Sequence, residues 1–189
     1  LCKSYAVAMR PLEWFALIWV KSFFNLLPLN AGIASNAAYL KIRHGLSVTS
    51  FVNISILVAI VTTLVYAFMG LLCMGVRYLQ TGAAVTSLSA LLLLLFAASI
   101  LLLIVPIPAV PDTTRLGRLI NQVRESSEVI RQDKPLLCLL IFYQVLHFLL
   151  FLGIYLALFK ELDYPLDLTS IAMLVIFYNL ILWPFAYTS

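Results

Sequence analysis

The sequence predicts an all-α fold, a polytopic bundle of membrane-crossing helices, and three observations carry that prediction. Hydrophobic residues make up 63% of the chain against 11% charged, and the mean hydropathy is +1.06. Apolar runs of about twenty residues, enough for a helix to cross the hydrocarbon of a bilayer, recur along it. None of the eight Asp and Glu falls inside such a run, as the cost of a bare charge in lipid requires.

Taken in order, the chain reads as one integral membrane domain over 1–189. Residues 12–27 form a first apolar helix, about 24 Å long and short of a full span. It breaks at Asn25-Leu26-Leu27-Pro28-Leu29-Asn30-Ala31-Gly32. Pro28 lacks an amide hydrogen and clashes with the preceding turn, and Gly32 accepts backbone shapes that other residues resist. In lipid, the polar backbone freed by such a break must find partners, so a break belongs inside protein or against a wet cavity. It is the first place to seek a site.

A shorter Ala-rich helix, 33–43, follows. It ends on Lys41, Arg43 and His44, whose charge suits a helix C-terminus, and Gly45 closes it. Ser47 is placed to cap the next helix, 48–76. The link 77–82 leads to a span over 84–105, which Pro106 and Pro108 end.

Residues 112–134 are the long polar segment, bracketed by Pro111 and Pro135. Leu116, Leu119, Ile120, Val123 and Ile130 recur at helical spacing, with Asp112 or Thr113 as cap. Arg115, Arg118, Arg124, Arg131 and Lys134 face Asp112, Glu125, Glu128 and Asp133. The pattern fits an amphipathic helix lying on the membrane surface or docked on the spans. Spans over 136–159 and 168–187, joined by the acidic link 160–167, complete the chain. It begins at Leu1 and stops just after an apolar run, and is expected to be part of a longer protein. No cleavable signal peptide is visible.

Charge sets the orientation. With 112–134 cytoplasmic, alternation places 77–82 and 160–167 outside and Lys41 and Arg43 inside. A re-entrant hairpin over 12–43, turning at Pro28, keeps Lys3 and Arg10 inside; a full crossing strands them outside. The hairpin leaves only Arg77 and Lys160 external, with Lys21 in the apolar arm, so the positive-inside rule prefers it and gives four spans rather than five. The net charge of +4 is explained by orientation and calls for no nucleic acid.

Several polar side chains fall within apolar segments. Lys21, Asn25 and Pro28 share one helical face. Lys21 either faces a cavity, where it can hold a phosphate or carboxylate of a lipid head, or snorkels to the interface on its flexible stem. Tyr143, Gln144 and His147 form a second polar patch within 136–159, and Asn179 lies beside Tyr178 in the last span. Such groups contact a proton or substrate, or simply bond to a neighbouring helix. Phe24-Asn25-Leu26-Leu27-Pro28 is echoed by Tyr178-Asn179-Leu180-Ile181-Leu182-Trp183-Pro184, and paired broken helices in two repeats point to a transporter site. Asn53-Ile54-Ser55 matches a glycosylation sequon but falls within a helix on the cytoplasmic side.

Catalytic chemistry has little to work with. The sequence has no glycine-rich phosphate loop, no His/Cys/acid cluster with metal spacing and no Ser/His/Asp set. Cys2, Cys73 and Cys138 are too scattered for a disulfide framework. No cofactor is implied, and any synthetase or transferase activity is expected outside this stretch. Asp163 and Asp167 are the external carboxylates a transferase would have to use.

Leu27-Pro28, Ala31-Gly32, Ala38-Tyr39-Leu40-Lys41, His44-Gly45-Leu46-Ser47 and Phe51 together resemble the first element of the lysylphosphatidylglycerol synthase transmembrane, or flippase-like, family. That element reads approximately Leu-Pro-x-Arg-Ala-Gly, Arg-Ala-x-Tyr-Leu-Lys, then a basic residue and Gly-x-Ser. The resemblance covers residues 24–51 and extends to the order of the later spans around a polar cytoplasmic helix. The family's second element, near Pro-Gly-Gly-x-Gly, would follow where this chain stops.

The resemblance implies a bacterial or archaeal cytoplasmic-membrane protein that moves a phospholipid, anionic or aminoacylated, or a lipid-linked molecule between leaflets. A synthetase domain or partner enzyme would accompany it. The departures are Asn30 and Asn36, where the family carries arginine. The head-group site expected is therefore Lys21, Asn25, Asn30 and Asn36 around the break at Pro28 and Gly32. The alternative is a non-transporting scaffold or accessory subunit of an enzyme of envelope lipid or polysaccharide synthesis.

Overall fold

The computed structural model describes residues 12, 13, 16, 17, 20, 31–82, 86–111, 113–164 and 166–188. Among the described residues every regular element is a helix. They are α1 (Ala31–His44), α2 (Val48–Thr81), α3 (Thr86–Ile104), α4 (Arg115–Gln132), α5 (Lys134–Glu161) and α6 (Leu168–Thr188). Leu12, Glu13, Ala16, Leu17 and Val20 are also helical. Helices α2, α3 and α5 are long and apolar enough to cross a membrane, and α6 contributes a shorter apolar stretch, Leu168–Leu180. The predicted helical membrane class is the observed one.

Helix α2 is the hub, with α3, α4, α5 and α6 all packed on it. Towards its start, Leu57, Ile60 and Val61 meet Leu103 of α3, Ile130 of α4 and Leu136 and Leu140 of α5. Further along, Tyr66 meets Leu92 of α3, Phe148 of α5 and Ala172, Val175 and Ile176 of α6. Gly70 lets these helices close in: a β-carbon there would lie 2.9 Å from Leu92 Cδ1 and 3.6 Å from Ile176 Cγ2. In lipid, where apolar burial supplies no drive between helices, such close approach is a main source of cohesion.

Several boundaries differ from the sequence reading, each for a local reason. Helix α1 starts at Ala31, so Gly32 lies in its first turn, its carbonyl accepting the Ser35 hydroxyl at 2.9 Å. The helix predicted to end at 76 runs on to Thr81. Residues 77–81 are polar apart from Leu79 but contain no helix breaker, and the stop comes at Gly82, left-handed at φ 68°. Ser47 caps α2 as expected, its hydroxyl accepting from the Ser50 amide.

Thr114, not Asp112 or Thr113, caps α4 by accepting from the Gly117 amide; Asp112 lies outside the described residues. Lys134 belongs to α5, not to the polar helix, and Pro135 sits in the first turn of α5 rather than terminating anything. Proline's missing amide is harmless there. Asp133, expected to face the basic residues, also caps α5 by accepting from the Leu136 amide at 3.0 Å. In α6 the helix continues past Pro184 to Thr188, so the echo of Pro28 marks no helix end.

Helix α4 is docked on the bundle rather than lying loose on a surface. Its Ser126 hydroxyl donates to the Asn53 carbonyl at 2.9 Å, and the Asn53 amide donates to Glu125 at 2.7 Å. Asn53, the sequon residue, is thus a buried tie between α2 and α4. Arg131 donates to the carbonyls of Leu103 (2.9 Å), Leu102 (3.4 Å) and Val105 at the end of α3. Asn121 holds the preceding loop by bonding both the amide and the carbonyl of Val110. Of the charges expected to pair along α4, Arg124 and Glu128 stand 3.6 Å apart. That separation is a charge contact, too long for a hydrogen bond.

Candidate functional site

The second polar patch of the sequence reading gains a partner from α2. Nδ1 of His147 lies 2.9 Å from the hydroxyl of Tyr66, across a sequence separation of 81 residues. Tyr66 is 0% exposed and packs edge-on against Phe148, ring centroids 5.8 Å apart. A buried phenol needs a hydrogen-bond partner, and His147 supplies it. A phenol donating to Nδ1 leaves the ring's own proton on Nε2.

The depth of the pair follows from its place on α5. His147 comes thirteen residues after Lys134 and fourteen before Glu161, about 20 Å from either end of the helix. The ring is not sealed in. His147 is half-buried and Tyr143, one turn before it, is 45% exposed. The two rings stack at 6.3 Å and 26°, and Phe151 lies 4.5 Å beyond His147. Together they form a shallow polar strip that opens at the middle of an apolar helix. Its donors, the ring N–H and the Tyr143 hydroxyl, suit a phosphate or carboxylate oxygen.

The other residues of that patch diverge. Gln144 points to the buried face of α5 with Leu136, Leu140 and Phe148. Asn179 is buried on α6, where its amide donates to the Val175 carbonyl of the same helix at 2.9 Å. Tyr66 is the member that sequence reasoning missed. The available signal was a tyrosine in an apolar helix whose hydroxyl had no partner within that helix.

The first expected site is only partly visible. Lys21, Asn25, Pro28 and Asn30 lie outside the described residues. Asn36 is half-buried on α1, and its buried side-chain oxygen has no hydrogen-bond partner. Glu13 accepts from the Tyr39 hydroxyl at 2.6 Å and from His44 Nε2 at 2.8 Å. The bond to Glu13, followed by desolvation, raises the Tyr39 hydroxyl above its ordinary pKa. His44 therefore does more than complement a helix end; it binds Glu13, 31 residues before it in the chain.

Among the described residues no group of three or more His, Cys, Asp or Glu is placed to hold a metal, and Cys73 and Cys138 are free thiols. No family model, no curated protein and no solved structure matches the chain.

Proposed function

We propose that this is a flippase-like membrane protein of a bacterial or archaeal cytoplasmic membrane, translocating a phospholipid or lipid-linked molecule between leaflets. The observation that carries the reading is the Tyr66–His147 pair, half-open beside Tyr143 at the middle of α5. Polar groups at that depth are costly against lipid and ordinarily mark a substrate path or a partner. In this reading the lipid head passes along the strip, its phosphate taking hydrogen bonds from His147 Nε2 and Tyr143, while the tails stay in the bilayer.

Residues 24–51 support the reading through their resemblance to the flippase-like family. The contact of Glu13 with His44 supports a re-entrant hairpin whose two ends share one side of the membrane. With α4 cytoplasmic, that side is the inner one. Lys21, Asn25, Asn30 and Asn36 would then receive the head group where the hairpin turns.

Proteoliposomes carrying a fluorescent phospholipid test this by the rate at which outer-leaflet label becomes protected from a membrane-impermeant quencher. The wild-type protein is expected to speed exchange over protein-free vesicles. Tyr66→Phe and His147→Ala are each expected to slow it about tenfold, equivalent to ~1.4 kcal/mol on the barrier. Wild-type exchange no faster than in empty vesicles refutes transport. Full complementation in cells by these variants then favours the scaffold.

A further inference from the structure

We infer that the end of the bundle opposite α4 carries a seat for a single phospholipid whose head bears both a phosphate and a primary amine. The seat is a groove of about 310 Å³ between the last turns of α5 and the start of α6, lined by Leu156, Phe159, Lys160, Tyr164, Leu166 and Ile171.

Its wall is built by the way α5 stops. The amide of Tyr164 donates to the Phe159 carbonyl at 3.0 Å and that of Asp163 to the Lys160 carbonyl at 3.2 Å. Asp163 stands in the left-handed region at φ 51°, a conformation Asp tolerates better than most residues. This is the Schellman ending of a helix, and it brings with it the usual apolar contact across the turn. Here that contact is Tyr164 against Phe159, centroids 6.1 Å apart. The turn thus folds an aromatic wall over the groove at the level where a membrane helix ends, the depth that tyrosine favours.

The chemistry of the rim selects the occupant. Lys160 lines the groove and forms no ion pair among the described residues. An ammonium beside an apolar slot matches a lipid phosphate above an acyl chain. Lys160 is followed by Glu161, Asp163 and Asp167, so the local charge is negative and a purely anionic head is repelled. Asp167 is engaged, accepting from the Ser170 hydroxyl, which holds its carboxyl below the usual range. Glu161 and Asp163 are exposed. They are free to take an amine while Lys160 takes the phosphate. Leu162 and Tyr164, 64% and 61% exposed, keep the turn at the lipid interface rather than in water.

This inference stands apart from the transport reading, since a lipid can be held here whether or not any lipid is moved. Native mass spectrometry of the full chain in detergent, with dioleoyl phosphatidylethanolamine, phosphatidylglycerol and phosphatidylcholine supplied in turn, tests it. Phosphatidylethanolamine adducts are expected to survive about fivefold better than either of the others. Lys160→Gln should remove that advantage, and Glu161→Gln with Asp163→Asn should shift preference towards phosphatidylglycerol. Each substitution is on the surface and Asn also accepts the left-handed turn, so folding is preserved. Equal or better retention of phosphatidylglycerol by the wild type, or undiminished phosphatidylethanolamine retention by Lys160→Gln, overturns the seat.

Discussion

Arg131→Ala is expected to lower the melting temperature of the detergent-solubilised protein by roughly 6–12 °C, the shift that about 3 kcal/mol gives a chain of this size. The reason begins with Pro106. In a continuing helix the amide of residue 106 would bond the carbonyl of Leu102, but residue 106 is proline and has none to give. The end of α3 is left with orphan carbonyls at its negative pole. The planar guanidinium of Arg131 reaches those of Leu102, Leu103 and Val105 together. Removing it strands them and releases α4 from α3. Arg131→Lys keeps the charge but not the fork of donors, and should recover less than half of the loss. A melting curve for Arg131→Ala within 1 °C of wild type, judged against the same scale, contradicts this role.

Gly117→Ala should cost about 2 kcal/mol, or roughly 4–8 °C, from a single added methyl group. A β-carbon at 117 would stand 2.3 Å from the carbonyl oxygen of Pro111. That neighbour is backbone and cannot rotate away. It must be pushed out with the loop that Asn121 pins through Val110. The loss should therefore appear alongside faster proteolysis between residues 105 and 114. Gly153→Ala is the control, since a β-carbon there meets nothing within 4 Å. Equal melting temperatures for the two variants contradict the account.

What the sequence made legible was what composition and breakers decide. The helical membrane class follows from apolar runs, and the start at Ser47 and the stop at Gly45 follow from residues whose backbone preferences are local. Where polarity stood in for a breaker, as at residues 77–81, the boundary came out short, because Arg, Leu and Gln form helix readily and Tyr does not stop one. Partners were less legible. Arg131 and Glu125 looked like members of a charge pattern along α4, yet one caps a different helix and the other takes an amide from Asn53. A residue's sign does not reveal which distant group it meets. Tyr66 and His147, or Glu13 and His44, come together only through packing between helices far apart in the chain. Asn53 was legible as a motif and not as what it is, a buried tie, because a sequon says nothing of burial.

The central claim is that the strip at His147 opens at bilayer depth to something polar. A nitroxide at position 143, in a chain whose Cys2, Cys73 and Cys138 are replaced by alanine and whose His147 is kept, measures it in reconstituted bilayers by collision with a polar nickel chelate and with oxygen. Labels at 142 and 149, exposed positions about 100–120° round α5 from 143, give the lipid-facing reference. Position 143 is expected to be reached by the nickel chelate more readily than 142 and 149. Nickel accessibility at 143 no greater than theirs, with high oxygen accessibility at all three, would mean that the strip faces plain lipid.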